Sequence, residues 1–132
     1  DVRSGGNPHR FRNAQEAIQA LRTAGPRDTR FYPHAAQYDV EAWLLPYWAT
    51  ACSIARRTQN PPGAAPEKVN EDHPPSWHLR ELFRLGAKSY SKPRHAAAIL
   101  RDQDLTLAAH ACPQLHAFLN SLLDLAGCTR IP

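Results

Sequence analysis

The sequence predicts a mainly α-helical domain with five or six helices and one or two short strands. Apolar residues recur every three or four positions in several segments, which is the spacing of one face of a helix. Capping and stop residues (Asn, Ser, Asp, Pro and Gly) stand at the ends of these segments. Only one stretch, TRFYPHAAQ at residues 29–37, has the aromatic and β-branched composition of a strand.

The first helix and the strand are predicted close to the N-terminus. Asn7 is a suitable cap and Pro8 suits a first helical turn, and Gly25 marks the end of the helix. We expect Ile18 to pack with Leu21 against the segment that follows residues 29–37. Proline within that stretch places the strand at a sheet edge or at a strand end.

A second helix is predicted from Tyr38 or Asp39 onward. Its apolar stripe has α-helical spacing and contains Val40, Trp43, Leu44, Tyr47, Trp48 and Ala51. Pro46 lies within this pattern, so it either kinks the helix or separates two helices.

The second half of the chain predicts a long loop and then four shorter helices. Residues 58–76 contain five prolines, and a loop of this length is usually functional or mobile. Ser76 is expected to cap the next helix, which Gly86 ends. The remaining helices are expected to begin at or just after Lys92, Asp104 and Pro113.

Length, charge and cysteine usage limit the class of protein. The 132 residues fit one domain, residues 1–132, and no apolar run reaches the ~18 residues that a membrane span needs. The three cysteines are far apart and form no CxxC pair, which favours a reducing cytoplasm. The formal charge of +4 permits a nucleic-acid partner without requiring one.

Two features predict that this domain is the C-terminal part of a longer protein. The sequence contains no methionine, so Asp1 is not a translation start. A single strand also leaves backbone hydrogen-bonding groups that need a partner strand.

Four segments in a fixed order resemble a known family. They are YPHAAQYDVEAWLL, PEKVNEDHPPS, KPRHAAAIL and CPQLHAFLNSLL, and the resemblance runs from about residue 29 to about residue 125. This order is similar to the uncharacterised bacterial family called domain of unknown function 4276, which is regarded as Toprim-like. The resemblance implies an α/β fold with a small parallel sheet between helices. It also implies an active site in which an N-terminal glutamate and an Asp-x-Asp pair hold Mg²⁺ for phosphodiester chemistry.

The sequence departs from the Toprim pattern at its start. The strand that ends in the N-terminal glutamate is not present, and Asp1 corresponds at most to the last aspartate of the Asp-x-Asp pair. We therefore expect the chain to be inactive as this fragment. The resemblance makes Asp1 and Glu41 the candidate catalytic and metal-binding residues.

Glu41 has two interpretations. It matches the glutamate of the family's Tyr-x-x-Glu-Ala pattern, and a carboxylate just after a strand is where α/β folds place ligands. Alternatively, Glu41 and Asp39 are acids of a first helical turn, favoured there by the helix dipole or by capping.

Basic and polar residues are the candidate substrate contacts. Residues 84–101 contain five Lys or Arg and no acid. Lys92, which matches the family's Lys-Pro pair, Arg94 and Lys88 are candidate phosphate contacts, and the alternative is a solvated basic face. Lys68 and Asn70 in the long loop are further candidates, with ordinary loop polarity as their alternative. No Cys or His pair has structural zinc spacing.

Two functions of different classes follow from these observations. The first is a component of a Toprim-like, Mg²⁺-dependent nuclease-type protein that processes nucleic acid. The second is a non-catalytic interaction module that docks on a larger ATPase partner.

Overall fold

The computed structural model of the chain describes residues 11–69 and 73–132. This part of the chain is mainly helical, as the sequence predicts, and it contains no β-strand. Its elements are α1 (Ala14–Ala24), the first 3₁₀ helix (Val40–Tyr47), α2 (Trp48–Ala55), the second 3₁₀ helix (Pro66–Lys68), α3 (Pro75–Leu85), α4 (Lys92–Leu100), α5 (Leu105–Ala111) and α6 (Pro113–Leu125). None of the helices in these two ranges is long and apolar enough to span a membrane.

The first 3₁₀ helix lies at the centre of the fold, in contact with α2, α3, α4, α5 and the second 3₁₀ helix. A 3₁₀ helix has three residues per turn, so residues three apart form a row along its axis. Two adjacent rows, which continue into the first residue of α2, are buried, and they contain Glu41, Leu44 and Tyr47 and then Ala42, Leu45 and Trp48. The third row is more exposed and consists of Val40, Trp43 and Pro46.

The α-helical stripe predicted for this segment is therefore wrong in part. Val40 was expected to face the core but is 42% exposed, whereas Leu45 lies outside the stripe and is buried. Pro46 explains the difference, because a proline has no N–H to donate to the carbonyl four residues earlier. The α-helix begins only at Trp48, so Pro46 belongs to a separate helical element.

The strand predicted within residues 29–37 is also wrong. These residues are irregular, and no strand in the described part of the chain is present to pair with them. Side chains hold the segment instead: Gln37 Oε1 accepts a hydrogen bond from the Ala14 N–H at 2.8 Å. His34 Nε2 lies 3.0 Å from Ser121 Oγ in α6. The segment thus connects α1 to α6 without a sheet.

α1 packs at the edge of the domain rather than in its main core. Ile18 is buried, but Leu21 is 44% exposed and does not make the inward contact that the sequence predicts. The helix begins after Asn13, whose side chain accepts a hydrogen bond from the Glu16 N–H at 2.9 Å. The predicted cap at Asn7 lies outside the described residues.

The ends of the later helices follow the sequence more closely. Gly86 follows α3, and Asp104 caps α5 by accepting a hydrogen bond from the Thr106 N–H at 3.0 Å. α4 begins at Lys92 and α6 at Pro113, as predicted. Ser76 is not a cap, however, because α3 begins one residue earlier at a proline. The predicted loop over residues 58–76 is interrupted by the second 3₁₀ helix.

The main core is built by the first 3₁₀ helix and α2 to α6, and α3 contributes its largest fully buried side chains. Leu79, Leu82 and Phe83 of α3 are fully buried there, and Ala55 ends α2 against them. Gly86, which follows α3, lies directly against the end of α2, since a Cβ atom on Gly86 would lie 1.9 Å from the Ala55 carbonyl oxygen.

We predict that Gly86→Ala lowers the free energy of unfolding by about 1–3 kcal/mol, because α2 and α3 must move apart. Urea denaturation measures the effect. Gly63→Ala is the matched control, since its added Cβ would approach only the Val69 Cγ2 methyl, at 3.1 Å. Equal stability losses in the two variants would contradict the close approach at Gly86.

Candidate functional site

Glu41 is a fully buried carboxylate in the central element of the fold. It lies in the inward row of the first 3₁₀ helix with Leu44 and Tyr47 and has no exposed surface. Lys92 Nζ lies 2.9 Å from Glu41 Oε2. No described group donates a well-directed hydrogen bond to either carboxylate oxygen. A buried charge is expensive unless it is paired, so Lys92 is the group that makes the burial of Glu41 tolerable.

Asp39 precedes the same helix and reaches a different element. Its Oδ2 accepts a hydrogen bond from the Ser76 N–H at 3.2 Å, which satisfies one of the free amides in the first turn of α3. The side chain that accepts a hydrogen bond at the start of α3 is therefore that of Asp39, whereas the sequence predicts that of Ser76. Its other oxygen, Oδ1, is buried without a hydrogen-bond partner among the described residues. Tyr38, with φ of 68°, turns the chain sharply just before Asp39.

Tyr90 lies close enough to these two carboxylates for their charges to act on its phenol. Burial raises the pKa of the Tyr90 phenol, and the charges of Glu41 and Asp39 raise it further, whereas the charge of Arg80 acts in the opposite direction. The phenol is therefore neutral near pH 7 and carries a proton that it can donate. Its oxygen is buried and has no partner among the described residues.

These three residues, Asp39, Glu41 and Tyr90, form what we call the Glu41 cluster. Within residues 11–69 and 73–132, every buried side-chain oxygen or nitrogen that has no hydrogen-bond partner belongs to this cluster. Folded proteins satisfy about nine in ten buried polar groups. The concentration of unsatisfied oxygens at one place therefore points to a ligand or water rather than to random packing defects.

Lys92 approaches the Glu41 cluster from the surface. It is the first residue of α4, and its side chain is 53% exposed although it contacts a fully buried carboxylate. The Ser91 N–H donates a hydrogen bond to His95 Nδ1 at 2.8 Å. Burial, with smaller effects from the charges of Arg94 and Lys88, lowers the pKa of His95. His95 is therefore neutral near pH 7, and because Nδ1 accepts this hydrogen bond the proton lies on Nε2.

A cavity of about 460 Å³ opens beside the start of α4. We call it the α4 cavity, and it is lined by Ile54, Lys88, Ser89, Arg94, His95 and Ala98. Lys88 Nζ donates a hydrogen bond to the Ile54 carbonyl oxygen near the end of α2, which is a favourable place for a cation. Arg94 is exposed at the cavity. Two cations and a neutral imidazole donor make this cavity suited to an anionic group.

A second buried carboxylate, Glu67, shows what a purely structural acid looks like in this fold. Its oxygens accept hydrogen bonds from Trp43 Nε1 at 3.1 Å and from the Gln114 N–H at 3.0 Å, in the first turn of α6. Burial, together with the charge of Glu67, raises the pKa of the Cys112 thiol to about 12. Glu67 therefore caps α6 and fixes Trp43, whereas Glu41 has no comparable set of donors.

The structure brings together some of the residues that the sequence singles out. Glu41 contacts Lys92, and Lys88 and Arg94 line the adjacent cavity. Lys68 is exposed on the second 3₁₀ helix and makes no hydrogen bond or ion pair with the Glu41 cluster. Asp1 and Asn70 lie outside the described residues.

The sequence analysis missed Tyr90 and treated Asp39 only as a possible cap. Tyr90 carries no periodic signal, since it stands in the loop between α3 and α4 and meets Glu41 only through the fold. A signal for the burial of Glu41 is present in the pairs Glu41-Ala42, Leu44-Leu45 and Tyr47-Trp48. Their spacing of three residues is that of a 3₁₀ helix with two buried rows.

Comparison with known proteins gives one family. No curated protein and no solved structure shows significant similarity to the chain. The family model described as "Domain of unknown function (DUF4276)" matches residues 7–123, which is most of the chain. This range includes the Glu41 cluster, Lys92 and the α4 cavity. The chain therefore belongs to the DUF4276 family.

Proposed function

We propose that the chain is a component of a Toprim-like, Mg²⁺-dependent protein that processes nucleic acid by phosphodiester chemistry. The Glu41 cluster would be its acidic site, and Lys92 with the α4 cavity would contact phosphate. One observation carries the proposal: Asp39 Oδ1 and Glu41 Oε1 are buried carboxylate oxygens that receive no hydrogen bond from any described residue, and Glu41 Oε2 has only the Lys92 ammonium, at 2.9 Å.

These oxygens fit a hard divalent cation in chemical type. Mg²⁺ prefers oxygen ligands and is usually held by one or two carboxylates, with water and substrate phosphate completing the shell. The described residues contain no group of three or more His, Cys, Asp or Glu side chains arranged for a metal ion. Glu41 and Asp39 would therefore act as the two protein ligands. When bound, Mg²⁺ supplies Lewis-acid stabilisation of charge on phosphate oxygens.

The neighbouring side chains have roles that do not depend on the metal. Lys92 neutralises Glu41 in the free protein and is exposed enough to contact a phosphate. Tyr90, protonated near pH 7, would donate a hydrogen bond within the Glu41 cluster. Arg94 and the His95 Nε2–H would hold a second anionic group in the α4 cavity. The Toprim-like part of the proposal rests on the sequence resemblance, because the described residues contain no strand of the α/β fold that it implies.

Glu41→Gln tests the acidic site in the isolated chain. A ligand that binds only the folded state stabilises it by about 1.4 kcal/mol at ten times its Kd. We predict that Mg²⁺ raises the melting temperature of the wild-type chain and not that of Glu41→Gln, since an amide is a weaker ligand for a hard cation than a carboxylate. The variant keeps the side-chain shape and should itself lose little stability.

Glu67→Gln is the matched control for Glu41→Gln. It should lower stability by about 1 kcal/mol through a weakened cap and leave the Mg²⁺ shift unchanged. In any protein of which this domain forms the active part, Glu41→Gln should also abolish Mg²⁺-dependent cleavage. Full cleavage and an unchanged Mg²⁺ shift in Glu41→Gln would instead favour the non-catalytic interaction module.

Arg94→Ala tests the phosphate contact at the α4 cavity. Arg94 is a sharper target than Lys92 or Lys88, because those two ammonium groups already contact Glu41 and the Ile54 carbonyl. We predict weaker DNA binding whatever the base sequence, with the slope of log K against log salt reduced by about one unit. Fluorescence anisotropy at several salt concentrations measures this slope.

Arg22→Ala, at the exposed end of α1, is the matched control for Arg94→Ala and should leave the slope unchanged. An equal change in both variants would mean that only net charge matters and that the α4 cavity holds no phosphate.

A further inference from the structure

Trp77 differs from the other two tryptophans of the chain in having no role in the core. Trp48 Nε1 donates a hydrogen bond to the Gln59 carbonyl oxygen at 2.8 Å, and Trp43 Nε1 donates one to Glu67. Trp77 is 38% exposed, and its indole N–H makes no hydrogen bond with another described residue. Tryptophan is enriched at binding interfaces, because its ring is apolar and its N–H can still donate a hydrogen bond.

Trp77 is also part of a stack of aromatic rings. The His73 ring lies parallel to the indole, with ring centres 3.8 Å apart and planes at 20°. His78 meets the indole edge-on, at 5.2 Å and 89°. α3 turns Leu79, Leu82 and Phe83 inward, so Trp77 in its first turn stays outside the core. The flat stack of His73 and Trp77 is therefore held at the surface by the direction of α3.

This aromatic stack borders the Glu41 cluster. The residue before Trp77 is Ser76, whose N–H donates to the Asp39 carboxylate. Arg80 lies three residues after Trp77, on the same side of α3, and its charge acts on the Tyr90 phenol of the cluster. Arg80 is exposed. Trp77 and Arg80 thus lie on one side of α3, and α3 contacts the acidic site through the Ser76–Asp39 hydrogen bond.

We propose that the His73–Trp77 stack is a platform for an unpaired nucleobase, so that the site takes single-stranded rather than duplex nucleic acid. This inference rests on the proposed function and specifies its substrate class. Every base has a flat π-face that can stack on an indole, but the bases of a duplex are already stacked on one another. Arg80 next to the platform suits the phosphate of the same nucleotide.

The test compares two oligonucleotides that differ only in their bases. The first is a short oligothymidylate, and the second is an abasic strand of the same length with the same phosphate charge. We expect the wild-type chain to bind the oligothymidylate more tightly by about 5- to 150-fold, the range for stacking one base on an aromatic ring. Trp77→Ala should remove this preference, whereas Trp77→Phe should keep most of it. Fluorescence anisotropy without Mg²⁺ measures each Kd.

Leu107→Ala removes another exposed apolar side chain, on α5, and should leave both Kd values unchanged. Melting temperatures check that Trp77→Ala is folded. If Trp77→Ala keeps the preference for bases, or if the wild type has none, the platform is overturned while the phosphate site stands. If the wild type binds neither strand, the proposed nucleic-acid function fails together with the platform.

Discussion

The three-residue period of the first 3₁₀ helix is the constraint on which the rest of the structure depends. Five other elements pack around this helix, and two of its three rows form the surface on which they meet. An α-helix over the same residues would turn a different set of side chains inward. Pro46 disfavours that alternative by removing a backbone donor. The same geometry that builds the core therefore carries the carboxylate of Glu41 into it.

A carboxylate in this position works against the stability of the fold. Removing a charged group from water costs several kcal/mol, and a half-exposed lysine recovers only part of this. Glu67 shows that the chain can bury an acid with hydrogen bonds from the protein on both of its oxygens. The fold offers Glu41 no such donors, although Tyr90 beside it carries an O–H. This difference is expected if the Glu41 cluster is kept for a ligand and not for packing.

Local chemistry explains which parts of the fold were predictable from sequence. Lys92-Pro93, Asp104 and Pro113 mark helix starts by their own backbone and side-chain properties, and the structure has helices there. Residues 29–37 have strand composition, but a strand needs a partner, and in this fold Gln37 and His34 attach the segment to helices instead. Composition alone does not show whether a partner strand is present, so it could not predict that residues 29–37 are irregular.

In the candidate site, too, single residues were predictable from local patterns but their contacts were not. Glu41 and Lys92 stood out individually, through the family's Tyr-x-x-Glu-Ala and Lys-Pro patterns. Their direct contact joins residues 51 positions apart and depends on how α4 packs against the first 3₁₀ helix. The places of Tyr90 and Asp39 in the Glu41 cluster depend on the same packing, so no local sequence pattern predicts them. Trp77 stood in a predicted helix, but only the direction of α3 shows that its ring is left outside.

The most direct test of the central claim is a double-mutant cycle on stability with Lys92→Met and Glu41→Leu. If the pair serves a ligand and not the fold, Lys92→Met alone should lower the free energy of unfolding by about 3 kcal/mol, because it leaves Glu41 buried and unpaired. The double variant should then be as stable as the wild type, or more stable by about 1–4 kcal/mol. A double variant clearly less stable than the wild type would contradict the account, because the Glu41–Lys92 pair would then contribute to the stability of the fold.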